Sequence, residues 1–346
     1  MTMRIARRAA VLAALCASVV GCKGAAKDQS SAGGAAKADS GKLTIAVIGK
    51  SSTNPVFLAA RTGAEQAAKD ISAKQHLNVQ VNWLTPPQED AEMQAQRVRQ
   101  AVNDGADGIL LAASDAGKVT GAINDAVDRG VPVMMFDSDA PQSKRFAIYG
   151  VDDAKAGEAV MRELAAAMGE KGKVAILAGN QNAPNLQRRV QGVKTEAAKH
   201  PGIQIVGTFN HIETPQDAAA EVIRVNNAYP DIRGWAMIGG WPLFTQTLLT
   251  DLDPDKQKVV AVDALPAELP YVEKGITPVL LAQPVYKWGY VGVETLVDKI
   301  HNKKDPASPV IPMELVRVTR QNLGEWARQL KEWGFTDVPQ KYLDMK

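Results

Sequence analysis

The stretch GILLAASDAGKVTGAINDAVDRGVPVMMF, residues 108–136, contains one complete strand–helix–strand pattern. Residues 108–113 and 131–136 are short apolar runs of the kind found in buried strands. Residues 115–128 between them follow a helical period. Strands that alternate with helices of this length predict a parallel sheet with helices on both faces.

The same alternation continues on both sides of this stretch. Further strand-like runs lie at 43–48, 79–83, 146–150, 173–179, 203–209, 234–240, 258–264 and 277–283. Helical patterns lie at 55–70, 88–103, 153–168, 185–199, 215–228, 287–302 and 322–333. About ten strands are too many for one ordinary sheet, so we predict an α/β fold with two doubly wound parallel-sheet lobes. The proline-rich residues 305–312 are expected to be a connector.

Composition excludes several classes of protein. The 346 residues are 45% apolar and 23% charged, which is typical of a globular protein and not of a disordered chain, a collagen-like fibre or a polytopic membrane protein. A net charge of +2 provides no basic surface for nucleic acid. Two cysteines and four histidines, without a CxxC or HExxH motif, predict no zinc site. We expect no cofactor.

The N-terminus has the pattern of an export signal. Residues 1–8 are basic, and residues 9–20 form an uncharged, mostly apolar run too short to span a bilayer. The end of the run, Val19-Val20-Gly21-Cys22, resembles the lipobox of bacterial lipoproteins. That resemblance implies a signal peptide at 1–21, a lipid on Cys22 and a flexible tether at 22–42; the alternative is an ordinary signal peptide with an incidental cysteine. Either reading places the protein in the periplasm or cell envelope.

Polar and aromatic side chains follow the predicted strands, where ligands bind in open α/β sheets. The candidates are Asn54, Phe57, Asp137, Arg189, Trp241, Asp263 and Gln283. Carboxylates accept hydroxyl protons, arginine and asparagine donate to oxygens, and aromatic faces cover C–H groups, so the set suits a neutral polyol. No nucleophile system, phosphate loop or dinucleotide fingerprint accompanies them. Two carboxylates could also form a glycosidase pair.

The order of these residues resembles a known family. Asn54-Pro55-x-Phe57, the two strand-end aspartates, Arg189-x-x-Gly192 and Ala282-Gln283-Pro284 are similar to the periplasmic sugar-binding proteins of the ribose, galactose and glucose group. These are the substrate-binding subunits of ABC importers. The likeness covers residues 43–318 and is most specific over 259–300.

The resemblance implies two lobes joined by three crossings, near Tyr149–Asp152, Ala282–Pro284 and Ile311–Met313. The N-terminal lobe would then comprise residues 43–150 plus 284–312. The C-terminal lobe would comprise residues 151–283 plus 313–346. The ligand would lie in the cleft between them.

The resemblance also implies roles for individual residues. Asn54 would bind a sugar hydroxyl and Phe57 would stack on the ring; Asp137 and Asp263 would be the hydroxyl-binding carboxylates. Arg189 would clamp the ligand and Gln283 would supply an amide at the hinge.

Three departures from the family pattern put ribose itself in doubt. Val56 stands where a second aromatic is usual, Ser138 where the ribose-type pattern has arginine, and Gly239-Gly240 where it has Asn-Asp. Trp241 could supply the missing stacking face, and the glycines could make room for a larger ring.

These features together predict a lipid-anchored binding protein, without enzymatic activity, that captures a monosaccharide by hinge closure. It would act as a monomer and deliver the sugar to the membrane permease of an ABC importer. One alternative is a sugar-sensing receptor module for a membrane kinase or chemoreceptor. The other is a glycoside-processing enzyme that uses Asp137 and Asp263.

Overall fold

The computed structural model describes residues 41–249 and 252–345, which form two six-stranded sheets. The predictions for the signal peptide, for Cys22 and for most of the tether lie outside the described residues. Within these ranges no helix is both long enough and apolar enough to cross a membrane.

The elements alternate along the chain as the sequence predicts. The strands are β1 (Lys42–Ile48), β2 (Asn78–Trp83), β3 (Gly108–Leu111), β4 (Val133–Phe136), β5 (Ala147–Gly150), β6 (Gly172–Ala178), β7 (Ile203–Asn210), β8 (Ile232–Met237), β9 (Lys258–Val262), β10 (Val279–Ala282), β11 (Val310–Pro312) and β12 (Val316–Val318). The helices are α1 (Pro55–Gln75), α2 (Ala91–Asn103), α3 (Ala116–Asp128), α4 (Asp153–Ala167), α5 (Pro184–Ala197), α6 (Pro215–Ala228), α7 (Leu269–Glu273), α8 (Val285–Ile300), α9 (Leu323–Glu332) and α10 (Gln340–Leu343).

The two sheets share one topology. The first has the order β11-β5-β4-β3-β1-β2 and the second the order β12-β10-β9-β8-β6-β7. All neighbours are parallel except β10 and β12. In each sheet the chain moves from an inner strand to one edge and then returns to the other side, which is the doubly wound arrangement. The prediction of two such lobes is confirmed.

Two short edge strands differ from the sequence prediction. Residues 305–312 were expected to be a connector, but Val310–Pro312 pairs with β5, with Ile311 opposite Tyr149. Strand β12 joins the edge of the second sheet in the antiparallel sense. Three-residue strands have no readable period, and proline is tolerated at an edge because one side of the strand needs no donor. The third passage between the sheets therefore spans 313–315, slightly later than expected.

Glycines let two pairs of helices approach closely. In the first lobe, a Cβ at Gly289 of α8 would overlap the carbonyl oxygen of Ala60 in α1. In the second lobe, a Cβ at Gly157 of α4 would overlap the carbonyl oxygen of Arg189 in α5. These contacts fix α1, α8 and α5, the three helices that carry side chains into the cleft.

Helix α9 packs on the second lobe, and Trp333 at its C-terminal end also contacts the first lobe. Trp326 of α9 is buried and its Nε1 donates to the Ala264 carbonyl at 2.8 Å. Its ring meets Trp333 edge to face at 5.5 Å, and Trp333 stacks on Tyr286 of α8 at 5.9 Å. The two tryptophans thus form one packed face, as their spacing of seven predicts.

Candidate functional site

A small cavity of about 30 Å³ lies where the carboxyl ends of both sheets meet. All seven residues singled out from the sequence line it: Asn54, Phe57, Asp137, Arg189, Trp241, Asp263 and Gln283. The structure therefore brings together residues that lie more than 200 positions apart in the chain. Their contact with a ligand remains a prediction.

Arg189 is the centre of the polar network. It lies on α5 and is buried, with Nε donating to Asp153 Oδ1 at 2.9 Å and Nη1 donating to the Ile238 carbonyl at 3.1 Å. Nη2 donates to Gln283 Oε1 at 2.9 Å and lies 3.6 Å from Asp137 Oδ1. The guanidinium is held in one orientation by these contacts and still has N–H groups to offer a ligand.

The two strand-end aspartates are held in an unusual backbone conformation. Asp137 follows β4 with φ of 55°, and Asp263 follows β9 with φ of 83°. Positive φ is uncommon for residues other than glycine, and such strain concentrates at functional sites. Asp263 Oδ1 accepts from Gln283 Nε2 at 2.9 Å, and burial raises the pKa of Asp263. Each carboxylate retains lone pairs that could accept hydroxyl protons.

Asn54 combines a helix-capping contact with a place in the cavity lining. Its Oδ1 accepts from the backbone N of Val56 at 3.1 Å, so it caps α1, and the residue also lines the cavity. Pro55 occupies the first turn of the helix. Three residues after the cap, Phe57 lies 6.1 Å from Trp288 in a stacked pair and meets Phe136 edge to face.

Trp241 fills the space that the glycines before it leave open. A Cβ at Gly239 would lie 2.6 Å from the Trp241 ring, and one at Gly240 would overlap Glu268 Oε1. The room at these glycines is therefore taken by Trp241 and Glu268, so it does not enlarge the cavity for a bigger ring. Trp241 also packs edge to face on His211 at 4.9 Å.

Four further lining residues that carry a side-chain hydrogen-bonding group were missed by the sequence reasoning: Lys50, Asn185, Glu213 and Trp288. Lys50 and Glu213 each follow a strand by two or three residues, so the strand-end argument could have found them. Asn185 follows the first residue of α5, and Trp288 reads as a helix core residue because it lies on the apolar face of α8.

Lys50 brings a buried ammonium group into the site. Its Nζ donates to Asn185 Oδ1 at 3.2 Å and lies 3.5 Å from Asp137 Oδ2. Burial lowers the pKa of Lys50, but attraction to Asp137, Glu213 and Glu89 outweighs burial, so the pKa is raised overall. The group therefore stays charged at neutral pH.

Direct hydrogen bonds join the two lobes across the cavity. Asn185 Nδ2 of the second lobe donates to Asp137 Oδ1 of the first at 3.0 Å. At the cleft edge, Asn180 Nδ2 of the second lobe donates to Glu89 Oε1 of the first at 3.0 Å. The two lobes are therefore closed on each other around the cavity.

Three other residues near the strand ends have partners within the fold and lie outside the cavity lining. Asp139 forms a two-point ion pair with Arg145, at 2.6 and 2.7 Å, and Asp152 caps α4. Trp235 is buried in β8, and its Nε1 donates to Asn226 Oδ1. These residues do not line the cavity.

Residues 45–304 match the family model described as "Periplasmic binding protein domain". The ribose import binding protein of Bacillus subtilis is 28% identical over 151 residues, which is 44% of this chain and 47% of that protein, so the match spans less than half of that relative. The D-ribose/D-allose-binding protein of Pseudomonas aeruginosa is 24% identical over 73% of this chain and 81% of its own length.

A solved structure shares the fold, with a sequence identity similar to that of these two relatives. It is an ABC transporter solute binding protein from Burkholderia graminis in complex with D-arabinose, 26% identical, with a TM-score of 0.75. The likeness covers 81% of this chain and 96% of that chain.

Proposed function

The chain belongs to the periplasmic binding protein domain family, and from that premise we propose that it captures a monosaccharide and delivers it to an ABC-type importer. The observation that carries the proposal is the cavity between the lobes, where Asp137, Asp263 and Arg189 lie beside aromatic faces. Carboxylates and a guanidinium provide acceptors and donors in the mixture that a polyol requires. The relatives named above bind ribose, allose or arabinose by their own descriptions, which supports a pentose or a hexose as the ligand.

Hinge closure would be the mechanism. We propose lobes of residues 43–150 plus 284–312 and residues 151–283 plus 313–346, which move about the three chain passages. A ligand that touches Asp137 in one lobe and Arg189 in the other favours the closed state, because its contacts are complete only there. No covalent step is required, so the proposal is a binding protein and not an enzyme.

The location is part of the same proposal. Cleavage before Cys22 and lipidation of its thiol would anchor the protein outside the cytoplasm, with residues 22–42 as a tether. A lipid-anchored monomer would capture sugar beside the membrane that holds the permease. The signal-like pattern at 1–22 supports this assignment.

The proposal predicts a sugar-dependent rise in thermal stability. We would heat the full-length chain with glucose, galactose, ribose, xylose, allose, arabinose or myo-inositol in turn. A sugar at 100 times its Kd should stabilise the protein by about 2.7 kcal/mol. Asp137→Asn should lose the shift, while Asp115→Asn should keep it, because Asp115 does not line the cavity and asparagine still caps α3. A flat response from protein that has been unfolded and refolded, to remove any copurified ligand, would contradict the proposal.

Sugar affinity should also depend on pH through Glu213. Its Oε1 accepts from the Asn180 backbone N at 3.1 Å, and burial together with Glu89 raises its pKa to about 7, against the opposing effect of Lys50. A carboxyl whose pKa is higher in the closed state than in the open state takes up a proton on closing, so closure weakens as pH rises from about 4.5 to 7.

We therefore expect affinity about 30-fold weaker at pH 8 than at pH 5.5, because pH 5.5 lies about 1.5 units below the closed-state pKa of about 7 and each unit is worth about a factor of ten. Titration calorimetry at the two pH values would measure it. Glu213→Gln should flatten the dependence, whereas Glu65→Gln, on the outer face of α1 beside Arg61, should leave it unchanged. An equally steep profile in Glu213→Gln would assign the dependence to another group.

A further inference from the structure

The indole N–H of Trp288 is a buried donor that has no acceptor among residues 41–249 and 252–345. Trp288 is 1% exposed and lines the cavity, and its Nε1 has no hydrogen-bond acceptor. Two other buried tryptophans differ, because Trp235 Nε1 donates to Asn226 and Trp326 Nε1 donates to Ala264. Buried tryptophan N–H groups usually have a partner, so an exception requires an explanation.

Packing alone does not explain a tryptophan at this position. Its ring stacks on Phe57 at 6.1 Å and lies 5.9 Å from Phe136, contacts that a phenylalanine would also make. Burying an N–H without an acceptor disfavours folding, whereas a purely apolar ring has no such cost. The indole nitrogen of Trp288 therefore lowers the stability of the sugar-free protein, as expected of a residue that is retained for binding.

We infer that Trp288 is a ligand-binding residue whose indole N–H donates to an oxygen of the bound sugar. This inference rests on the proposed function and adds a specificity-determining donor to the same site. Trp288 and Lys50 both belong to the first lobe, and each brings a donor that accepts nothing in return. The sugar must therefore present acceptor oxygens to this lobe, and an analogue that lacks the oxygen facing Trp288 should bind more weakly.

The test compares two tryptophan-to-phenylalanine variants of the full-length chain. Using the sugar from the panel above that binds the wild type most tightly, we expect Trp288→Phe to weaken binding about threefold to tenfold, the value of one neutral hydrogen bond. Its melting temperature without sugar should equal or exceed that of the wild type. The control Trp235→Phe loses a bond to Asn226 inside the second lobe, so it should melt earlier and bind the sugar unchanged.

Each outcome decides between a binding and a structural role. If Trp288→Phe melts earlier and keeps its sugar affinity, Trp288 is a core residue and the inference is wrong. If Trp288→Phe does not fold, nitrogen-labelled indole signals of the wild type give the answer, since sugar should slow solvent exchange of the Trp288 N–H and unchanged exchange would refute the inference. Failure of the wild type to bind any sugar would instead overturn the proposed function, and this inference with it.

Discussion

Replacing Arg189 with alanine is expected to abolish sugar binding and to destabilise the second lobe. The side chain is 2% exposed and donates to Asp153, Gln283 and the Ile238 carbonyl. Its removal leaves the buried carboxylate of Asp153 without its main partner, which typically costs about 3–5 kcal/mol of unfolding free energy. Arg189 is also the donor proposed to clamp the ligand from the second lobe, so we expect affinity to fall at least about 100-fold.

The loss of stability should depend on pH in a defined direction. Burial already raises the pKa of Asp153 against the effect of Arg189, and without the guanidinium that pKa would rise further. A carboxyl whose folded-state pKa lies above its unfolded value destabilises the fold increasingly as pH rises through that interval. Arg189→Ala should therefore lose more stability at pH 8 than at pH 5 in urea unfolding.

Two further variants separate stability from binding. Arg188→Ala is the matched control, because Arg188 is the adjacent arginine, is half exposed and lies 3.8 Å from the same carboxylate. It should change unfolding free energy by less than about 1 kcal/mol and leave affinity intact. The double variant Arg189→Met with Asp153→Asn should recover most of the stability without recovering sugar binding. Sugar affinity near the wild-type value in that double variant would show that Arg189 only supports the fold.

The sequence predicted the fold and seven of the residues that line the cavity, largely for one physical reason. Parallel strands all end at the same edge, so the residues after each strand converge whatever the loop lengths. This logic placed Asp137, Asp263 and Gln283 correctly at the cavity. It could not find Trp288, because a helical period shows which side of α8 is apolar but not which apolar residue also reaches the cleft.

Some other features could not be predicted because local pattern does not encode them. Strands β11 and β12 are three residues long and acquire their conformation from the edge they join. The space at Gly239 looked like room for ligand, yet the Trp241 ring occupies it. That outcome depends on how one side chain folds back over the glycine, which spacing along the chain does not specify.

Gly289→Ala is expected to destabilise the first lobe strongly, although alanine favours helices. The new Cβ would overlap the Ala60 carbonyl oxygen and lie 2.6 Å from the Ala64 backbone N, and these are backbone atoms of α1 that cannot rotate away. Helices α1 and α8 would have to separate, so we expect a loss of more than about 3 kcal/mol in urea unfolding, at the upper end of overpacking effects. Because Phe57 lies on α1 and Trp288 on α8, sugar affinity should fall as well.

Gly121→Ala is the matched control for this substitution. Gly121 lies inside α3, and a Cβ there would meet nothing within 4 Å. The same chemical change should therefore stabilise the protein by about 1 kcal/mol, the difference in helix propensity between the two residues, and leave affinity unchanged. Changes in unfolding free energy of opposite sign for the two variants would show that glycine is required at 289 by the close backbone contact between α1 and α8. Helix propensity would then not be the reason. A Gly289→Ala protein as stable as the wild type would mean that α1 and α8 can move apart at little cost, so their close contact would not be what holds Phe57 and Trp288 together at the cavity.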